Sequence, residues 1–246
     1  LIAFQLGLRL RGAPGGSAQY SNVGYLVLSR VIEQVSGMGY EEYLQEHVLW
    51  PACCYDMHIA RNYYKDRYPG EVKYYGHDEE RIESYDGSGQ MRLREYGGND
   101  IRGLQGAGAW VASSVEMMRL VASIDGKPNV PDILSAESVA AMRDIQRKGD
   151  YALGWARYNA SNGSLIRTGT MSGTCAYIDY RENGISYVFF TNTSNYRGAT
   201  FTNSIGRMIR DAMTRVEEWP SDRDMFVAVP DMATDSLSLT SANDVS

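Results

Sequence analysis

The tripeptide Tyr20-Ser21-Asn22 stands just ahead of a stretch with helical apolar spacing. A phenol there can relay a proton, while the neighbouring amide can hold a substrate carbonyl or orient an activating lysine. The same residues also suit a structural role, with Asn22 as a helix N-cap and Tyr20 packed beside it. Far along the chain, Arg167-Thr168-Gly169-Thr170 closes an apolar run and precedes a turn. A cation beside a hydroxyl at a sheet edge suits the carboxylate of an acyl substrate, and Gly169 lets that substrate lie against the backbone. The backbone N–H of Thr170 is then a candidate oxyanion donor. Taken alone, a strand ending in a turn explains this pattern equally well. A third group, Gly106-Ala107-Gly108-Ala109-Trp110, permits close chain approach and reads as a packing device.

Other reactive residue types carry less. Cys53, Cys54 and Cys175 are odd in number and two are adjacent, so buried unpaired thiols are expected rather than a disulfide framework. His47, His58 and His77 lack metal-ligand spacing, and the run Asp78-Glu79-Glu80 lacks the ligand alternation of a calcium loop. No metal and no cofactor is expected.

The elements that would position these residues follow from periodicity. Leu28, Val31, Ile32 and Val35 predict a helix over 23–36 with that face inward and Gly37 just past its end. A second helix is predicted from Tyr40 to Val48, with Leu44 and Val48 inward, stopped by Pro51. From Cys53 to Gly108 the Tyr-, Gly- and charge-rich composition reads as irregular surface. Ser113-Ser114-Val115-Glu116 is a capping box opening a helix that carries Met117, Met118 and Val121 inward as far as Gly126. Another helix follows Ser135, with Val139, Met142 and Ile145 on one face.

After Asp150 the pattern turns to strands over 151–158, 165–169, 174–180 and 185–193, with Asn-Gly turn signals at 162–163 and 183–184. This predicts an antiparallel meander. A helix over 201–215, with Ile205, Met208, Ile209 and Met213 on one side, would cover it. The fold class is therefore α+β. Residues 1–230 form the expected domain, and 231–246 read as a polar tail.

Tyr20-Ser21-Asn22-Val23-Gly24-Tyr25, the helix from Leu28 to Gly37, and Tyr40-Glu41-Glu42-Tyr43-Leu44 together resemble the middle of class C β-lactamase-like serine hydrolases. The Gly-Ala-Gly-Ala-Trp segment with its serine-capped helix is similar to that family's next landmark. Arg167-Thr168-Gly169-Thr170 resembles its third active-site element, usually Lys-Thr-Gly or His-x-Gly. The resemblance implies a penicillin-recognising fold and an acyl-enzyme reaction on β-lactams, D-Ala-D-Ala peptides or esters. It makes Tyr20 the partner in proton transfer, and Asn22 a hydrogen-bonding partner of the substrate's acyl side chain or of the lysine. Arg167, Thr168 and Gly169 would line the opposite wall, with the Thr170 N–H in the oxyanion hole.

Two departures stand out. No Ser-x-x-Lys, the family's nucleophile element, occurs in the 246 residues. The sequence opens on Leu-Ile-Ala-Phe with no signal-peptide pattern, so an upstream segment carrying the nucleophile is expected, and the 246 residues alone are expected to be inactive. The second departure is Arg167, whose guanidinium binds carboxylates but cannot exchange a proton as lysine or histidine does.

A non-catalytic protein that keeps the groove is the competing reading. An α/β-hydrolase elbow at Ser172 is excluded, because Thr170 and Thr174 occupy both glycine positions of Gly-x-Ser-x-Gly. The net charge of −6, with no basic run, argues against nucleic acid as a partner, and no apolar stretch is long enough to span a bilayer. A small-molecule or peptide acyl substrate is the expected partner, and the resemblance points to the periplasm or to secretion.

Overall fold

The computed structural model describes residues 2–9, 12–13, 20–144, 152–159, 161–182, 184–217, 226–231 and 236–241. Ile145, Tyr151 and Asn183, which figured in the predicted helix, strand and turn, lie outside them. The helical part comprises α1 (Ile2–Leu6), α2 (Asn22–Ser36), α3 (Tyr40–Leu44), α4 (Ile101–Leu104), α5 (Ser114–Ala122) and α6 (Ala136–Arg143). Two short pairs accompany it, β1 (His58–Ile59) with β4 (Trp110–Val111) and β2 (Arg81–Glu83) with β3 (Met91–Leu93). The main sheet has four strands, β5 (Arg157–Asn159), β6 (Ser164–Met171), β7 (Thr174–Tyr180) and β8 (Tyr187–Thr191), in that order and antiparallel throughout. The long helix α7 (Ala199–Glu217) follows. This is the α+β class that the residue pattern predicts, and an antiparallel sheet with helices fits the β-lactamase/transpeptidase-like fold that the resemblance implies.

The chain divides into two compact units, 1–206 and 207–246. The second holds the end of α7 and an antiparallel hairpin of β9 (Phe226–Asp231) and β10 (Ser236–Ser241). Composition alone reads part of this stretch as a polar tail. The alternation Ser236-Leu237-Ser238-Leu239 carries the period-two signal of a strand despite its low overall hydrophobicity.

Three clusters of buried side chains form the core of the first unit. Tyr40, Ile59 and Ala109 gather Ile32, Leu44 and Trp110, while Leu49, Ala52, Cys54 and Met57 gather Met117 and Leu120. Val121, Trp155, Leu165 and Tyr180 join the sheet to α5 and α6 through Ile124 and Met142. Helix α5 thus touches two clusters, through Met117 and Leu120 on one side and Val121 on the other.

Several details differ from the sequence reading. The cap of α2 is Ser21, whose hydroxyl accepts from Gly24 N at 3.2 Å, and Asn22 is the first helical residue. Gly37 ends the helix in the left-handed conformation, as predicted. The buried face of α2 carries Leu26 and Ser29 with Ile32 half-buried, whereas Leu28, Val31 and Val35 are exposed. The cause is Ser29, whose single hydroxyl proton has two acceptors within reach, Leu26 O at 2.7 Å and Gln105 Oε1 at 3.0 Å. A polar residue with satisfied bonds can centre a buried face, and apolar periodicity does not register it.

The capping box of α5 is half formed. Ser113 Oγ accepts from Glu116 N, but the buried Glu116 carboxylate reaches across to accept from Tyr55 N at 2.7 Å and Asp56 N at 2.9 Å. On α7, Met208 is exposed, and the contacts to the sheet run through Thr202 and Gly206. The 53–108 region holds buried Cys54, Ile59, Glu95 and Tyr96, so it is more than irregular surface.

Candidate active site

The start of α2 and strand β6 meet at one cation. The Arg167 guanidinium lies 5.6 Å from the ring centroid of Tyr20 and 5.4 Å from that of Tyr25, and the two rings are 6.4 Å apart. Two patterns far apart in sequence are thereby brought together. Tyr20 precedes the Ser21 cap and is 61% exposed, so its hydroxyl is open to solvent or to a substrate. Asn22, in the first turn of α2, is also exposed.

Strand register sorts the other candidates onto two faces. Arg167 pairs with Ile178 and Gly169 with Ala176, while Thr168 pairs with Tyr177 and Thr170 with Cys175. Side chains alternate along a strand, so Arg167 and Gly169 share one face and Thr168 and Thr170 share the other. On that second face Thr170 Oγ1 lies 2.7 Å from Thr202 Oγ1 at the first turns of α7, with Thr202 fully buried. The Thr170 side chain therefore ties the sheet to its covering helix, and only its backbone is left for a ligand.

Gly169 is exposed, and an added Cβ would meet only Ala176 Cβ, at an ordinary 3.8 Å. The surrounding protein does not require a glycine there. Strand β5 pairs with β6 only along Ser164–Ile166, so among the described residues 167–171 are paired on the β7 side alone. A strand edge with free backbone groups is where an extended acyl substrate can add main-chain bonds.

Supporting residues hold this edge in place, some of which sequence reasoning missed. Gly106 lies so close to α2 that an added Cβ would be 2.9 Å from the Tyr40 hydroxyl and 3.2 Å from Tyr25 O. That agrees with a packing role for the Gly-Ala-Gly-Ala-Trp segment. Buried Glu95 accepts from Gly76 N at 3.0 Å and from Ser172 Oγ at 3.3 Å, fastening the β6–β7 turn to the 74–76 segment. Gly173 N in the same turn donates to Ser194 Oγ at 2.8 Å. Tyr25 was legible only as part of the Tyr-Ser-Asn-Val-Gly-Tyr run, and nothing local marked Glu95. Among the described residues no group of three or more His, Cys, Asp or Glu is arranged to hold a metal ion.

Comparison with known proteins gives the family and the fold. PbpX of Bacillus subtilis (strain 168), a protein named as a penicillin-binding protein, is 27% identical over 182 residues, which is 73% of this chain and 41% of PbpX. Among solved structures, SurE superposes with a TM-score of 0.60 at 18% identity, covering 97% of this chain and 59% of that one. The D-amino acid amidase of Ochrobactrum anthropi SV3 gives 0.56 at 17% identity, covering 78% and 56%. The chain thus spans about two fifths of PbpX and under three fifths of these two structures. The family model for beta-lactamase matches residues 1–205, the greater part of the sequence. This chain belongs to the beta-lactamase family.

Proposed function

We propose that the chain supplies one side of a serine acyl-hydrolase centre of the class C β-lactamase-like type, acting on β-lactams, D-Ala-D-Ala peptides or esters. The observation that carries this reading is the Arg167 guanidinium set over the Tyr20 ring, beside an open strand edge. Tyr20 passes the proton of the attacking serine to the leaving group. The serine Oγ–acyl bond forms as the amide or ester bond breaks, and water then cleaves the acyl-enzyme and restores the serine. Asn22 holds the acyl side chain or the activating lysine. Arg167 binds a substrate carboxylate, Gly169 leaves room along the edge, Thr168 supports the wall, and Thr170 offers its N–H to the oxyanion.

No Ser-x-x-Lys occurs in these residues, so the reading places the nucleophile on sequence outside them. The same observation favours a second reading, a binding protein that keeps the groove without the nucleophile. One experiment separates them. The coding region upstream of Leu1 is read for Ser-x-x-Lys, and the protein it encodes is treated with a fluorophosphonate probe and with penicillin. A labelled serine in that motif supports the hydrolase. A full coding region without the motif, and no labelling, leaves the binding protein.

A further inference from the structure

We propose that the groove between residues 63–66 and the β2–β3 hairpin is a second ligand site, for an organic anion whose carboxylate or phosphate groups sit on an apolar body. The groove is open to solvent and has a volume of about 730 Å³, within the range of small-molecule sites, and none of the residues proposed for acyl transfer lines it. Its charge is lopsided, with Lys65, Lys73, Arg81 and Arg92 facing one carboxylate, Asp66. The chain as a whole carries −6, so this concentration of cations runs against the background.

Among the described residues none of the four cations forms an ion pair with an Asp or Glu, whereas nearby Arg94 is paired with Glu80. Like charges gathered in a concavity build a positive potential that a bound anion relieves. Arg92 stands against the aromatic wall of the groove. Its guanidinium lies 5.0 Å from the Tyr63 ring centroid and donates to Gln90 Oε1, yet its buried Nε has no acceptor. That Nε is shut off from solvent and so from a ligand, which leaves the terminal guanidinium nitrogens and the exposed Lys65, Lys73 and Arg81 to hold an anion.

The remaining wall explains why a bare ion is not the expected occupant. Tyr64, Tyr96, Met91 and Leu93 complete the lining. The Tyr96 ring is held edge-on to Tyr64 at 5.2 Å, and its hydroxyl accepts from Tyr74 N at 2.6 Å. Fixed aromatic surface beside exposed cations suits a molecule with an apolar body and an acidic end. Guanidinium groups pair with carboxylate and phosphate alike, so the chemistry is shared and the test must separate the two.

The test is calorimetric titration at low ionic strength with phenyl phosphate, benzene-1,4-dicarboxylate, inorganic phosphate and phenol. At least one aromatic anion is expected to bind, about tenfold or more tighter than inorganic phosphate or phenol, and the tighter of the two identifies the acid group. Lys65→Gln, Lys73→Gln and Arg81→Gln together alter only exposed side chains, and should weaken binding by about tenfold or more with Tm unchanged. No binding by either aromatic anion, equal affinity for inorganic phosphate, or undiminished affinity in the triple variant would overturn the proposal. Because no turnover is read, the outcome is independent of the acyl-transfer reading.

Discussion

The Arg167 guanidinium stands 5.6 Å from the centre of the Tyr20 ring, so the first residues before α2 and the middle of β6 share one cation. A cation–π contact of this kind contributes about 0.5–1 kcal/mol, and Arg167 makes a second one to Tyr25 at 5.4 Å. The functional content lies in what the two groups can do separately. Tyr20 can carry a proton, while Arg167 can only hold charge.

Tyr20→Phe therefore keeps the ring under the guanidinium and removes the hydroxyl. In the protein that carries the serine nucleophile, turnover should fall about 10²–10⁴-fold with the Tm unchanged. Arg167→Lys keeps the charge but loses the planar fork, so KM should rise more than kcat falls. Equal turnover of the Tyr20→Phe variant would remove Tyr20 from the mechanism.

Cys54 offers a test of the helical core. Burial first, then the Glu116 carboxylate, pushes its thiol up from 9.0 to about 11, whereas Cys53 beside it is exposed. At pH 8, iodoacetamide should label Cys53 in the folded protein, and Cys54 and buried Cys175 only on unfolding. The thiol binds its proton more tightly folded than unfolded. Its contribution to stability is thus complete below about pH 9 and is lost as pH rises through about 11. Unfolding midpoints measured from pH 8 to 11 should decline, and less steeply in Cys54→Ala. Labelling of Cys54 as fast as Cys53 would contradict the buried placement.

Three strands of the sheet were legible because their residues alternate and their turns carry glycine, but the first, expected over 151–158, is only Arg157–Asn159, because Ala152 and Trp155 pair with each other across a tight turn. What sequence could not show was polar atoms used as packing. Ser29 sits at the centre of the buried face of α2, and Glu116 caps two amides of a distant loop instead of its own helix. Both depend on partners some sixty to eighty residues away, which no local window contains. The site follows the same rule. Tyr20 and Arg167 could be named separately from their neighbours, but their meeting, the second ring of Tyr25 and the clamp of Glu95 are tertiary facts.

Glu95 is the clearest case. Its two oxygens take a backbone N–H and a hydroxyl from segments that close the β6–β7 turn. Glu95→Ala leaves the Gly76 N–H without its acceptor and should cost about 1–3 kcal/mol in urea unfolding. Glu95→Gln keeps the acceptor at Gly76 and should cost less. A loss for the Ala variant within the error of the measurement would mean that water replaces the carboxylate freely.

Gly169 separates a ligand-facing glycine from a packing one. An added Cβ there meets only Ala176 at 3.8 Å, and its φ is not in the left-handed region. Gly169→Ala should therefore leave stability unchanged, or raise it by about 0.4–1 kcal/mol by restricting the unfolded chain. Gly206 on α7 is the control, since a Cβ there would lie 2.5 Å from Tyr177 Cζ. Alanine normally favours a helix by about 1 kcal/mol over glycine, yet Gly206→Ala should lower the Tm because the Tyr177 ring must move. If Gly169 serves the substrate, its alanine variant keeps or gains stability while KM for the acyl substrate rises. A Gly169→Ala protein with unaltered kinetics would show that no substrate lies against this part of the strand.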